Sequence, residues 1–191
     1  MKRVFISETD PVGAEAFELR RLSEPLGTTD IAINHYRVAP GAGLPAGLHA
    51  HADQEEVFVV LEGAATFETL DGEVDVATGE AIRFGPGEFQ SGRNDGDEEL
   101  VLLALGAPGE SEDVRIPIEC PECDGEDLRL DFGGSGLTFA CRRCGAERTP
   151  IDCPECGGAD LRVTLGADGE PVADCTDCGG TYERPPIEGE W

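Results

Sequence analysis

Four copies of one spelling, C-x-x-C, confine what the last third of this chain can become. "CPEC", "CRRC", "CPEC" and "CTDC" hold all eight cysteines, as Cys120/Cys123, Cys141/Cys144, Cys153/Cys156 and Cys175/Cys178. Two cysteines at this spacing on a tight turn offer two thiolates to one ion, and two such turns close a tetrahedral four-sulfur site. The pattern recurs at an offset of 33 or 34 residues, "IECPECDGEDLRLDF" being followed by "IDCPECGGADLRVTL". Duplication of one small unit accounts for this, and consecutive pairing makes each unit self-contained. Interleaved pairing would not. Glycine follows three of the four turns, at Gly145, Gly157 and Gly179, while Asp124 stands after the first.

Each unit is too short and too poor in apolar runs to be held by a core alone, so metal is the expected staple. The opening "MKRVFISETD" runs into charge instead of an apolar segment, and "LVLLALGA" is too short to span a bilayer. A cytoplasmic protein is expected, and there paired cysteines are metal ligands sooner than disulfides. The two units look like tandem zinc ribbons over residues 118–150 and 151–186, each with one structural Zn2+. Iron, as in rubredoxins, goes with a longer gap and an aromatic core; these repeats offer Phe132, Phe139 and Tyr182. Redox work is disfavoured, because closed four-cysteine sites leave no free thiolate.

Acidity is spread over the whole chain. There are 40 acidic residues against 14 basic ones, a net charge of −26, and Lys2 is the only lysine. Residues 118–191 hold 17 of the acids and 6 arginines, so neither half is a mere acidic tail. This resembles proteins of halophilic archaea, whose carboxylates stay hydrated where the screening length falls to ~3 Å; an acidic mesophilic protein is the plainer reading. Either way the charge argues against nucleic acid and anionic membranes as partners. Arg142 and Arg143 within one knuckle are outnumbered by acid, which leaves a protein partner or a structural role for the ribbons.

Ahead of the cysteines the pattern is β. "IAINHYRV", "EVFVVLEG", "EAIRFGPG" and "ELVLLALG" are expected strands, and "AATFETLDGEVDVATG" a hairpin around Asp71-Gly72. "GAEAFELRRLSEPLG" fits either a short helix or a strand. Short strands at regular spacing suggest a sandwich or barrel. "GAPGESEDVRIP" is turn-rich and is expected as a linker, and "IEGEW" as a tail.

Within this region, "GLPAGLHAHADQEEVFVVLEG" places His49 and His51 one residue apart, so that on a strand both imidazoles face one way. These are two of only three histidines. The stretch resembles the first motif of the cupin family, G(X)5HXH(X)3–4E(X)6G, through Gly43, His49, His51, Glu56 and Gly63. The closing glycine selects Glu56 over Glu55, which is expected at the surface. The second motif, G(X)5PXG(X)2H(X)3N, is met at Gly79, Gly87 and Asn94. Pro86 comes one position late, and Gln90 stands where the histidine belongs.

The resemblance implies an all-β architecture: a cupin (double-stranded β-helix, or jelly-roll) barrel over residues 1–112 with its core at 30–106, a linker at 113–117, then the two β zinc ribbons. It implies one divalent metal (Fe, Mn, Ni or Zn) on His49, His51 and Glu56, with Gln90 as fourth ligand or as a hydrogen-bond partner of bound water. It also implies a small-molecule ligand or substrate and a homodimer. A metal-dependent dioxygenase, isomerase or decarboxylase is one reading; a small-molecule sensor whose ribbons contact a partner protein is the other. His35 is expected in a hydrogen-bonded structural role, with a place in the barrel lining as the alternative, and Phe58, Phe84 and Phe89 as core or pocket wall.

Overall fold

The computed structural model describes residues 1–14, 16–133 and 136–189. Strands dominate it. In chain order they are β1 (Val12–Ala14), β2 (Phe17–Arg21), β3 (Ala32–Val38), β4 (Ala50–His51), β5 (Glu55–Glu62), β6 (Ala64–Thr69), β7 (Gly72–Ala77), β8 (Ala81–Phe84), β9 (Ser91–Arg93) and β10 (Leu100–Ala107). The cysteine-bearing half adds β11 (Val114–Ile116), β12 (Leu128–Gly133), β13 (Gly136–Ala140), β14 (Glu147–Arg148), β15 (Leu161–Leu165), β16 (Pro171–Cys175) and β17 (Thr181–Tyr182). The leading segment holds both structures the sequence left open: strand β2, then a four-residue helix α1 (Ser23–Leu26).

Two antiparallel sheets enclose the first core. One has the order β1-β2-β3-β10-β5-β8 and the other β7-β6-β9. Side chains alternate across a strand, so β10 sends Leu100, Leu102 and Ala104 inward, while Phe67 and Val76 answer from the opposite sheet. Phe58, Phe67 and Phe84 meet ring to ring at 4.9–6.0 Å between centroids, which makes Phe58 and Phe84 core residues. The register sets Glu56 opposite both Gly106 and Phe84, in the inward-facing row.

A second core joins the two halves of the chain. Leu48, next to the first histidine of the pair, is fully buried among Ile116, Ile118, Leu128, Phe139 and Val163. The stretch expected as a linker supplies β11, which pairs with β4 on one edge and with β12 on the other. A single five-stranded sheet, β14-β13-β12-β11-β4, thus runs from the histidine strand through the first cysteine unit. The alternation Val114, Ile116, Ile118 explains it: each sends an apolar side chain toward one face. The second unit, β15-β16-β17, docks through Leu48 N–H to the Val163 carbonyl at 2.6 Å. Thr164 Oγ1 also donates to Glu68 of β6 at 3.0 Å. Ile187 of the expected tail is buried and bridges to Pro150, whereas Glu190 and Trp191 lie outside the described residues. Among the described residues no helix is long and apolar enough to cross a membrane.

Candidate metal centres

His49, His51 and Glu56 converge, with one ligand atom from each lying within 4.8 Å of the others. Backbone pairing sets this up. His49 bridges to Gln90, exchanging N–H···O bonds of 3.1 and 2.8 Å, and His51 sits two residues on, in β4. The intervening Ala50 faces the opposite way and is buried. Glu56 arrives from β5 on the inward face. Its neighbour Glu55 points outward to Arg83 at 2.7 Å, at the surface.

The histidine tautomer at position 49 is fixed. The Gly47 carbonyl lies 2.8 Å from His49 Nδ1; a carbonyl only accepts, so Nδ1 carries the proton and Nε2 is free to ligate. His51 Nε2 stands 3.6 Å from Glu56 Oε2. That is long for a hydrogen bond, yet close to the roughly 3.0–3.4 Å that separates two ligands of one ion at bonds near 2.1 Å. The Nδ1 of His51 is buried without a hydrogen-bond partner. Two imidazole nitrogens and a carboxylate suit a late first-row divalent ion with open positions.

Gln90 occupies the place of the missing histidine, but its carboxamide serves the carboxylate. Nε2 donates to Glu56 Oε2 at 3.1 Å, and the residue is almost fully buried. An amide N–H cannot ligate, so Gln90 orients Glu56 and keeps only its carbonyl oxygen for other partners. Burial also shifts the charges. Desolvation pushes Glu56 up to about 7 and His51 down to about 4, the latter helped by His49 beside it. His49 is lowered as well, chiefly by burial and against the Gly47 hydrogen bond. A cation among these three side chains would favour the ionised carboxylate and the neutral imidazoles.

A cavity of about 310 Å3 opens beside the triad, walled by Asn34, Tyr36, Phe58 and Ala104 among others. His35 is not in it. Residues 34 and 36 face inward, so residue 35 faces the other side of the same strand, near Arg20 and Arg37. Its Nδ1 is buried with no partner, so the hydrogen-bonded role expected for it is not made at that nitrogen. Phe89 packs against the second core.

The eight cysteines form two clusters, Cys120/Cys123/Cys141/Cys144 and Cys153/Cys156/Cys175/Cys178. None of the eight is joined in a disulfide. In the first, Cys120–Cys144 and Cys123–Cys141 lie 3.7 and 3.6 Å apart between sulfurs; in the second, Cys153–Cys178 and Cys156–Cys175 give 3.7 and 3.6 Å. A tetrahedron with Zn–S bonds of ~2.3 Å has edges of about 3.75 Å, so both clusters could hold zinc. Gly145, Gly157 and Gly179 take φ of +78°, +75° and +75°, and each N–H closes its turn on the first cysteine's carbonyl. Among the described residues no non-glycine has positive φ, so Asp124 turns the chain differently. One contributor escaped the sequence reading: the Tyr182 hydroxyl lies 3.1 Å from Cys153 Sγ, where a thiolate would accept its proton. The equivalent position of the first unit is Arg148, which pairs with Glu122. The repeat alignment carried that difference, but a tyrosine three residues beyond a knuckle glycine resembles ordinary packing.

Comparison with known proteins accords with this fold. Residues 34–106 match the family model described as the cupin domain. Among solved structures, the chain is similar to a cupin-superfamily sugar phosphate isomerase from Silicibacter pomeroyi, with 20% identity and a TM-score of 0.57 over 75% of this chain and 94% of that one. It is also similar to a putative sugar phosphate isomerase from Acidithiobacillus ferrooxidans, with 21% identity and a TM-score of 0.52 over 68% and 79% of the two chains. A third likeness is to the polyketide cyclase RemF from Streptomyces resistomycificus, at 26% identity and a TM-score of 0.52 over 63% and 88%. No curated protein matches.

Proposed function

We propose that the cupin domain at residues 34–106 holds one divalent first-row metal on His49, His51 and Glu56, and that the protein is a metal-dependent enzyme acting on a small oxygen-bearing substrate. The convergence of those three side chains beside a cavity is the observation that carries the reading. Such an ion supplies Lewis-acid polarisation of a substrate oxygen. The chain's own residues do the rest. Gly47 fixes the His49 tautomer, Gln90 holds the Glu56 carboxylate, and Phe58 and Ala104 give the cavity part of its apolar wall. Burial pushes the Tyr36 phenol up to about 12, so at neutral pH it is a hydrogen-bond donor in that wall, beside the Asn34 carboxamide. Dioxygenation, isomerisation and decarboxylation are the reaction types this donor set serves.

The two cysteine clusters hold structural zinc in this proposal, supported by sulfur spacings that match a tetrahedral edge. The second reading, a sensor whose ribbons contact a partner protein, has less support, because Leu128, Phe139 and Val163 of the ribbons pack against Leu48 of the barrel. A homodimer belongs to the proposal too, with exposed Leu61, Leu70 and Val74 as candidate interface residues. So do a cytoplasmic location and a high-salt habitat, the latter resting on the −26 charge.

Metal quantification tests the centre. Purified protein is expected to hold one iron, manganese or nickel beside two zinc per chain, and His51→Ala two zinc alone. A wild type holding two zinc ions and no third metal, or an unchanged count in the variant, defeats the assignment.

A further inference from the structure

A second cavity, of about 670 Å3, begins at His49 and His51 and extends away from the barrel, between the two cysteine units. Its position follows from register. Residues directly opposite each other in antiparallel strands share a face, and His51 stands opposite Val114 of β11. Ile116 stands opposite Leu128, Leu130 opposite Phe139, and Phe132 opposite Leu137. The face that presents the His51 imidazole is therefore continued by the apolar face of the first ribbon's hairpin. It runs three strand spacings outward from β4 to β13, roughly 14 Å. Leu161 and Val163 of the second ribbon border the same cavity.

The chemistry of this wall is one-sided. Its single guanidinium, Arg162, is engaged by Asp160 through bonds of 3.0 and 2.8 Å and reaches the Leu44 carbonyl. Asp152 and Asp160 add negative charge. No wall residue is a lysine. A phosphorylated sugar would meet carboxylates and aliphatic carbon where it needs cations. At the outer rim stands Phe132, an aromatic side chain 73% exposed on an otherwise acid-rich surface. Exposed aromatics at a cavity mouth are suited to cover an apolar ligand.

We propose that the two cysteine-held units form the specificity wall of the triad's binding site, and that the site takes a ligand with an aromatic or alicyclic body and one oxygen-donor head. The head lies at His49, His51 and Glu56; the body lies along Leu130, Leu137 and Phe132. This rests on the metal centre proposed above for where the head is placed, and on the cavity alone for the body. It also gives the ribbons a use in an enzyme: without them the histidine pair would open directly to solvent.

The test uses full-length, zinc-replete protein with Mn(II) added, and two probes, 2-naphthoate and glucose 6-phosphate. Calorimetry reads affinity, and Mn(II)-induced broadening of the probe's proton resonances reads distance from the triad. 2-Naphthoate is expected to bind with broadened lines, and glucose 6-phosphate not to bind. Phe132→Ser and Leu137→Ser are each expected to weaken naphthoate at least fivefold. The first substitution is at an exposed side chain, so it leaves the fold intact even if the second does not. Absent naphthoate binding, affinity indifferent to Phe132→Ser, unbroadened lines on Mn(II)-loaded protein, or sugar phosphate binding as tightly overturns the proposal. If the triad takes up no Mn(II) while naphthoate affinity still depends on Phe132, the wall stands and the metal centre falls.

Discussion

Leu48 donates its backbone N–H to the carbonyl of Val163 at 2.6 Å, and the residue after Leu48 is the first histidine of the triad. The second ribbon therefore grips the chain one residue from a proposed metal ligand. Gly47, whose carbonyl fixes the His49 ring, has no room for a side chain there: a β-carbon would sit 2.5 Å from the Val163 oxygen and 2.9 Å from its nitrogen.

Truncating the Leu48 side chain, which packs among Ile116, Leu128, Phe139 and Val163, should loosen the barrel metal without touching the cysteines. Leu48 is completely buried, so Leu48→Ala is expected to cost about 2–5 kcal/mol in urea unfolding. It should also weaken metal binding at the triad while both zinc ions stay. Val76→Ala, in the first core, is the control: it should lower stability and leave metal affinity alone. Equal metal affinity in Leu48→Ala and wild type would show that the ribbon's grip and the triad are independent.

Gln90 should act on the metal through Glu56. Gln90→Ala removes the donor at 3.1 Å and frees the carboxylate to rotate, so affinity should fall about tenfold to a hundredfold. Gln90→His places a third imidazole opposite His49, where backbone pairing already aims it, and should tighten binding. Competition against a chromophoric chelator measures both. An unchanged affinity in Gln90→Ala would mean that the carboxylate needs no support.

These relationships differ in how far the sequence announced them. Both cysteine clusters and the histidine pair follow from spacing and period-two alternation, which are local, whereas Glu56 was chosen over Glu55 by the closing glycine of the resembled motif. The docking of the ribbons was not legible, because β11 pairs with a strand some sixty residues earlier and no local window contains that partner. The turn-rich "GAPGESED" also hid the alternating Val114, Ile116 and Ile118 behind it. Gln90 shows a middle case: the motif located the residue, but the direction of its amide depends on which ligand stands beside it. His35 lay on the wrong face of its strand for the cavity, a matter settled by which of residues 34–36 the barrel turns inward.

The two ribbons should release zinc at different rates. Tyr182→Phe deletes the hydroxyl that lies 3.1 Å from Cys153 Sγ. A hydrogen bond to a charged group contributes roughly 1.5–3 kcal/mol, so zinc affinity at the second site should fall by about tenfold or more. The first cluster, which has Arg148 at the equivalent position, should be unaffected. Zinc transfer to a chromophoric chelator is expected to show two phases in the wild type, and in the variant the slower one, from the second site, should quicken while the other keeps its rate. Unchanged phases would assign Tyr182 to packing alone.

Proton linkage gives the last prediction, and its sign differs between the two ligands. Glu56 is raised from 4.5 to about 7, so between those values the folded state holds a proton that the unfolded state has released, and stability falls as pH rises. His51 is lowered from 6.5 to about 4, so across that interval the unfolded state holds the extra proton and stability rises with pH. The two slopes oppose each other between pH 4.5 and 6.5. Glu56→Gln leaves the histidine slope alone, and the variant should gain about 2 kcal/mol over that window relative to the wild-type trend. Metal uptake follows the same protons. At pH 6 the His51 imidazole is neutral and the Glu56 carboxyl is mostly protonated, so that carboxyl should release nearly one proton per ion bound; at pH 8.5 it should release almost none. Titration calorimetry in buffers of different ionisation enthalpy reads that number directly. Equal proton release at the two pH values would place the ion on ligands other than Glu56.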